Sequence, residues 1–205
     1  YMNKIAVGPE AVGHIDIDAP VEANLKSIAK AKRRDVNDLT VMILYRPRHA
    51  DLIQEVRTTG ARIRLINDGD VAAAISTAME ETGIDVLLGV GGSPEAVITA
   101  CALRCLGGEI QCKYWPRDDS ERQYAAEQNI DLNRGLCLNE LVNSDNVFFA
   151  ATGITRGELL NGVKYFGGGA ETSSIVMRSK SGTIRRIEAT HRVDKLMLFS
   201  PIKYD

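Results

Sequence analysis

The stretch TVMILYRPRHADLIQEVRTTGARIRLINDGD, Thr40–Asp70, decides the predicted fold. It opens within an almost continuous apolar run, Leu39–Tyr45, which is typical of a strand buried on both faces. The next segment, Ala50–Thr59, has apolar residues at helical spacing and stops at a glycine that suits a helix C-cap. Ala61–Ile66 then predicts a second strand. A strand, a helix and a strand in this order predict a parallel pair joined by a crossover helix.

The same alternation continues along the chain. We predict a helix from about Val71 to Glu81, a strand over Ile84–Val90 and a helix over Glu95–Leu106. Right-handed crossovers place such helices on both faces of the sheet. The predicted fold class is therefore α/β, a three-layer α/β/α arrangement with a mostly parallel sheet.

The flanking segments carry weaker signals. A helix is predicted after Asp18-Ala19-Pro20, where proline suits the first turn. Runs around Ser181-Gly182 predict a C-terminal antiparallel hairpin. The remaining predicted elements are a strand over Glu109–Trp115, a helix over Ser120–Gln128 and a strand over Asn146–Ala151.

Composition excludes several classes of protein. The 205 residues are 44% apolar and 25% charged, which is typical of a folded domain and not of a disordered chain. A net charge of -2 predicts no nucleic-acid or anionic-lipid partner, and no apolar run is long enough to span a membrane. Four cysteines at irregular spacing indicate reduced thiols; a redox-regulated scaffold is a minor alternative. These are Cys101, Cys105, Cys112 and Cys137.

Three loops follow the three predicted core strands, and ligands of open α/β sheets bind outside the carboxyl ends of the strands. The loops read Arg46-Pro47-Arg48-His49, Asn67-Asp68-Gly69-Asp70 and Gly91-Gly92-Ser93-Pro94-Glu95. Two arginines on a proline-stiffened loop suit bidentate binding of phosphate, although solvated or ion-paired arginines are an equal alternative. We expect all three loops to lie at one edge of the sheet.

The other two loops each allow two interpretations. The carboxylates of Asp68 and Asp70 could accept hydrogen bonds from sugar hydroxyls or bind a hard cation, while Asp70 could instead cap the next helix. Gly92 allows close approach of a ligand to the backbone beside free helix N–H groups. Glu95 is favoured by the helix dipole alone, and a metal role needs further ligands. The histidines show no arrangement that indicates nucleophilic catalysis.

Longer motifs resemble one known family. The segments RPRH, RLINDGDVAAAI, GVGGSPE, CLGGE, FAATGIT and GGGAETSSIVMRSKSGTIRRIEATH are together similar to class II, GlpX-type fructose-1,6-bisphosphatases, from Tyr1 to about Arg192. The resemblance is greatest to cyanobacterial members that also accept sedoheptulose 1,7-bisphosphate. It implies a sugar-phosphatase-like fold, with Mg2+ or Mn2+ bound in part by Glu95. The implied substrate contacts are Tyr1, Arg46, Pro47, Arg48, Asp68, Gly69, Asp70 and Gly92.

The resemblance also implies hydrolysis of the C1 phosphate by metal-assisted attack of water, in a cytoplasmic homo-oligomer, either a dimer or a tetramer. Family members carry further metal carboxylates, including an Asp-Pro-(Ile/Leu)-Asp-Gly motif, in a preceding region, and the 205 residues contain no such motif. We therefore expect residues 1–205 to be the C-terminal substrate-binding α/β domain of a longer, two-part enzyme. The alternative is a non-catalytic module that binds a sugar phosphate or a nucleotide.

Overall fold

A computed structural model describes residues 1–200, and a six-stranded sheet lies at its centre. The strand order is β3-β2-β4-β1-β5-β6. β2 is parallel to β3 and β4, whereas β1 lies antiparallel between β4 and β5, and β6 is antiparallel to β5. Four of the six strands, β2 to β5, therefore run in one direction. The strands are β1 Met2–Val7, β2 Thr40–Leu44, β3 Arg62–Ile66, β4 Val86–Gly91, β5 Glu109–Tyr114 and β6 Gly135–Cys137.

Helices cover both faces of this sheet, which confirms the predicted three layers. On one face, Ile5, Val41 and Val86 belong to a core cluster with apolar residues of α1 and α2. On the other face, Met42 and Leu87 belong to a second cluster with residues of α3 and α4. Successive strand residues thus enter opposite cores, as the period of a strand requires. The helices are α1 Val21–Lys32, α2 Ala50–Thr59, α3 Asp70–Ser76 and α4 Ser93–Leu106.

A second, antiparallel sheet adds a fourth layer beyond α3 and α4. Its strands are β7 Phe148–Thr152, β8 Lys164–Phe166, β9 Gly169–Arg178 and β10 Thr183–Arg192. The β9–β10 pair is the predicted hairpin, and β9 also pairs with β7 and β8. Phe149, Ile175 and Met177 are buried in one cluster with Ile75 of α3 and Ala102 of α4. The predicted hairpin is therefore part of a larger sheet that packs on the helices.

Three further α-helices lie in the described chain. They are α5 Asp119–Glu127, α6 Leu138–Leu141 and α7 Val193–Leu196. At the start of α5 the Asp118 carboxylate accepts a hydrogen bond from the Glu121 backbone N–H, so this side chain caps the helix. None of the helices within residues 1–200 is long and apolar enough to cross a membrane.

Two of the differences from the sequence prediction have a clear physical reason. β1 was not predicted, because Asn3 and Lys4 interrupt its apolar pattern although Lys4 is buried. α3 ends at Ser76 instead of continuing to Glu81. The reason is that Thr82 Oγ1 donates to the carbonyls of Ser76 and Met79, which stabilises a turn in place of a further helical turn.

Candidate functional site

The predicted loops meet at one edge of the central sheet. Because β2, β3 and β4 are parallel neighbours, the loops that follow them leave the sheet on the same side. β5 runs in the same direction, and the antiparallel β1 brings its first residues to this edge as well, where Met2 pairs with Gly91 and Tyr114. The edge, called the strand-end edge below, thus collects five segments that are distant in sequence.

The two arginines in the loop after β2 have different hydrogen-bond partners. Arg46 donates to Asp68 Oδ1 at 2.9 Å; the Asp68 side chain is exposed and the Arg46 side chain is partly buried. Arg48 donates through Nε and Nη2 to the Val90 carbonyl, at 3.2 and 2.8 Å, which fixes its guanidinium beside β4. Among residues 1–200 no carboxylate lies within ion-pair distance of Arg48. Its positive charge therefore faces the strand-end edge without a neutralising partner.

Asp70 is bound by a lysine that sequence reasoning did not single out. Lys4 lies in the middle of β1 with its side chain 2% exposed, and its Nζ donates to Asp70 Oδ2 at 2.8 Å. Asp70 does not cap α3; Gly69, with φ of 86°, precedes the helix, and Asp70 is its first residue. The alternative of Asp70 as a capping residue is therefore wrong. The ion pair with Lys4 instead holds the Asp70 carboxylate in place at the strand-end edge.

Gly91 and Gly92 make room for two carboxylates. A Cβ on Gly91 would lie 2.1 Å from Asp70 Oδ2, and one on Gly92 would lie 1.9 Å from Glu95 Oε2. Glu95, in the first turn of α4, therefore folds back over the glycine turn at the strand-end edge. The carboxylate of Glu95 is one oxygen donor suited to a hard cation.

A metal site needs more donors than Glu95 offers. Ca2+ takes six to eight oxygen ligands, and Mg2+ is octahedral, with water and substrate supplying part of the shell. Within residues 1–200 no group of three or more His, Cys, Asp or Glu side chains is arranged to hold a metal ion. The described residues therefore fit one ligand of such a site and do not complete it.

Tyr1 and Arg117 lie together at the strand-end edge. Trp115 N–H donates to the Tyr1 carbonyl at 3.0 Å, which continues the β1–β5 pairing. The guanidinium carbons of Arg48 and Arg117 lie 5.4 and 4.7 Å from the centroid of the Tyr1 ring. The sequence did not predict a position for Arg117 at this edge, because its loop follows β5, a strand whose direction the sequence did not establish.

His49 is a structural residue at this edge. Its ring is buried, and its Nε2 accepts from Val90 N–H at 2.8 Å. Since a backbone N–H can only donate, the ring proton lies on Nδ1 and is donated to the Leu44 carbonyl at 2.6 Å. The ring thus joins β2 to β4 beyond their last paired residues, Met42 and Leu87.

Protonation of His49 is expected to weaken the fold. Burial lowers the pKa of His49 below its usual range, and Arg48 and Arg46 add to this. The unfolded chain takes up a proton below about pH 6.5 and the folded chain does not, so the free energy of unfolding should fall as pH decreases from about 6.5 to the lower folded pKa. Urea denaturation at pH 7.5 and 5.5 measures this change. His49→Gln should reduce the pH dependence and His14→Gln should not; equal dependence in wild type and His49→Gln would contradict the assignment.

A cavity of about 550 Å³ adjoins the second loop. Its lining includes Asp68 and Gly69, together with Thr152 at the end of β7 and Gly153 and Arg156 in the loop that follows. The segment after β7 therefore lies beside the loop after β3, at the same crevice. Gly167 and Gly168 join β8 to β9, and Gly169 is the first residue of β9.

The four cysteines are unpaired thiols that lie outside the strand-end edge loops. Burial raises the pKa of Cys112 to about 12, and burial also raises the pKa values of Cys101 and Cys105. A raised pKa leaves little reactive thiolate at neutral pH. These three thiols therefore give no support to the alternative of a redox-regulated scaffold.

The fold, a mixed central sheet between helices with a second antiparallel sheet, agrees with the sugar-phosphatase-like α/β class. The family model described as bacterial fructose-1,6-bisphosphatase, glpX-encoded, matches residues 1–191. The chain belongs to this family, as its motifs predicted.

The names of similar curated proteins agree with this family assignment. Two proteins named D-fructose 1,6-bisphosphatase class 2/sedoheptulose 1,7-bisphosphatase, from Synechococcus sp. strains JA-3-3Ab and JA-2-3B'a(2-13), are each 44% identical to the chain over 207 residues. A protein of the same name from Microcystis aeruginosa (strain NIES-843 / IAM M-2473) is 42% identical over 208 residues. Each match covers 95% of this chain and 60% of the relative.

Proposed function

We propose that this chain is the substrate-binding domain of an enzyme that hydrolyses the C1 phosphate of fructose 1,6-bisphosphate and of sedoheptulose 1,7-bisphosphate. The observation that carries the proposal is the strand-end edge, where the unpaired Arg48 lies with Asp68, Asp70 and Gly92 in a member of a bisphosphatase family. The names of the curated relatives support the two substrates.

Different residues of the strand-end edge contact different parts of the substrate. Arg48, with Arg46 and the Pro47 turn, holds the phosphate that is not cleaved, because guanidinium groups donate in a planar fork that matches phosphate oxygens. Asp68 and Asp70 accept hydrogen bonds from the sugar hydroxyls; Gly69 sets the turn between them. Gly92 lets the substrate approach the backbone, and the Tyr1 ring packs on the sugar phosphate.

The proposed cofactor is Mg2+ or Mn2+, with Glu95 as one of its ligands. Because residues 1–200 do not complete a metal site, we assign to this domain substrate binding and one metal ligand, and no step of the hydrolysis. The missing carboxylates would come from outside residues 1–205, as expected for one part of a two-part enzyme.

Other properties of the protein follow from the family. We propose a phosphoric monoester hydrolase of carbohydrate metabolism, acting in gluconeogenesis or the Calvin cycle. A cytoplasmic location and a homo-oligomeric state, dimer or tetramer, belong to the same proposal. Neither a nucleic acid nor a membrane is among the proposed partners.

Calorimetric titration and a phosphate-release assay of residues 1–205 test the proposal together. Fructose 1,6-bisphosphate should bind, and unphosphorylated fructose should not bind detectably at the same concentrations. Phosphate release in the presence of Mg2+ or Mn2+ should be undetectable. Failure to bind the bisphosphate would contradict the proposed substrate, and metal-dependent phosphate release would contradict the two-part division.

A further inference from the structure

We propose that Arg117 is a further substrate-binding residue, which together with Arg48 binds the phosphate that is not cleaved. This inference rests on the proposed function and adds to it a residue from the loop after β5. It assigns to Arg117 a part in discriminating a sugar bisphosphate from a sugar carrying a phosphate at C1 alone.

The position of Arg117 is fixed by its local hydrogen bonds. Its Nε donates to Glu121 Oε1 at 2.6 Å, and its backbone N–H donates to Glu121 Oε2 at 2.8 Å. Glu121 lies in the first turn of α5, which the Asp118 side chain caps. Glu121 therefore holds both the main chain and the side chain of Arg117, so that the guanidinium loses little conformational freedom when it binds a ligand.

Arg117 faces the same aromatic ring as Arg48. The two guanidinium carbons lie 4.7 and 5.4 Å from the Tyr1 ring centroid, so they are at most about 10 Å apart, a distance comparable to the Debye length at 0.1 M salt. Each contact is within the range of a cation–π interaction. The ring thus gathers two positive charges at the strand-end edge.

The charges around the ring are only partly balanced. Glu121 neutralises Arg117, whose Nη2 also contacts Glu121 Oε1, and Asp118 lies next to Arg117 in the chain. Arg48 has only the Val90 carbonyl as its hydrogen-bond acceptor within the described residues. A phosphate dianion at this place would accept charge-assisted hydrogen bonds from both guanidinium groups and reduce their mutual repulsion.

An ordinary surface ion pair between Arg117 and Glu121 does not explain why Arg117 also contacts the Tyr1 ring. An exposed ion pair between residues close in sequence contributes little to stability and requires no aromatic partner. Arg122 shows this simpler case, because it lies on α5 next to Glu121, with its Nε 3.9 Å from Asp119 Oδ1, and contacts no aromatic ring among the described residues. Arg122 is therefore a matched control for Arg117.

The test compares two ligands in calorimetric titrations of the 205-residue chain. The wild-type chain should bind fructose 1,6-bisphosphate more tightly than fructose 1-phosphate, because only the former carries a phosphate for Arg48 and Arg117. In Arg117→Gln the affinity for fructose 1,6-bisphosphate should fall about 10- to 100-fold, the effect of losing a charge-assisted hydrogen bond, while that for fructose 1-phosphate stays within about twofold.

Control variants separate this role from a structural one. Arg122→Gln should leave both affinities unchanged, and Arg117→Lys, which keeps the charge but not the planar fork, should lose less affinity than Arg117→Gln. If Arg117→Gln keeps the wild-type preference for the bisphosphate, or weakens both ligands equally, the inference is overturned while the proposed function stands. If the wild-type chain binds neither ligand, both are overturned.

Discussion

Lys4→Met should lower the free energy of unfolding by about 2–3 kcal/mol, because methionine leaves the Asp70 carboxylate without its buried cationic partner. Methionine fills a similar volume, so the change removes a charge and little packing. The carboxylate is 14% exposed on its side chain, and water can stabilise it only in part. Urea denaturation of the 205-residue chain measures the difference.

A double-mutant cycle separates the ion pair from other effects of Lys4. Asp70→Asn alone leaves the lysine charge buried, whereas Lys4→Met with Asp70→Asn removes both charges. The double variant should therefore be destabilised by clearly less than the sum of the two single variants. Additive losses would show that Lys4 and Asp70 do not act as a pair. Binding of fructose 1,6-bisphosphate should weaken in every variant that lacks Asp70.

Glu95→Gln should reduce kcat about 100-fold or more in a hydrolytically active form of the protein, with a smaller change in KM. Glutamine keeps the shape of the side chain but removes the anionic oxygen proposed as a ligand of Mg2+ or Mn2+, and loss of several kcal/mol of transition-state stabilisation corresponds to a factor of this size. Steady-state kinetics at several concentrations of each metal measure the effect. The metal concentration for half-maximal activity should rise in the variant.

Arg48→Ala is the matched comparison for Glu95→Gln. Loss of a guanidinium that binds the uncleaved phosphate should raise KM about 10- to 100-fold and change kcat less. A fall of kcat in Arg48→Ala combined with a rise of KM in Glu95→Gln would mean that the substrate and metal roles of the two residues are exchanged.

The sequence was sufficient for the parts of the fold whose signals are local. The apolar run of β2, the helical spacing of α2 and the glycine after α2 each act within a few residues, and the predicted bounds of these elements agree with the structure to within a few residues. The convergence of the three loops then follows from the geometry of parallel strands. Family motifs supplied the roles of the site residues, which remain predictions.

The sequence was insufficient where a residue acts through a distant partner. Lys4 looks like a polar interruption of an apolar segment, and its burial depends on Asp70, 66 positions away. Arg117 becomes significant only because the antiparallel β1 brings Tyr1 beside β5. The packing of the C-terminal hairpin on α3 and α4 likewise involves contacts between separate segments. Such contacts leave no periodic signal along the chain.

A crystal structure of the 205-residue chain with fructose 1,6-bisphosphate tests the central claim most directly. The account predicts the uncleaved phosphate within hydrogen-bond distance of the Arg48 guanidinium and a sugar hydroxyl within that distance of Asp68 or Asp70. The rival location is a cavity of about 690 Å³ lined by Thr155, Arg156 and Lys164. Sugar bisphosphate bound in that cavity, with none at the strand-end edge, would contradict the account.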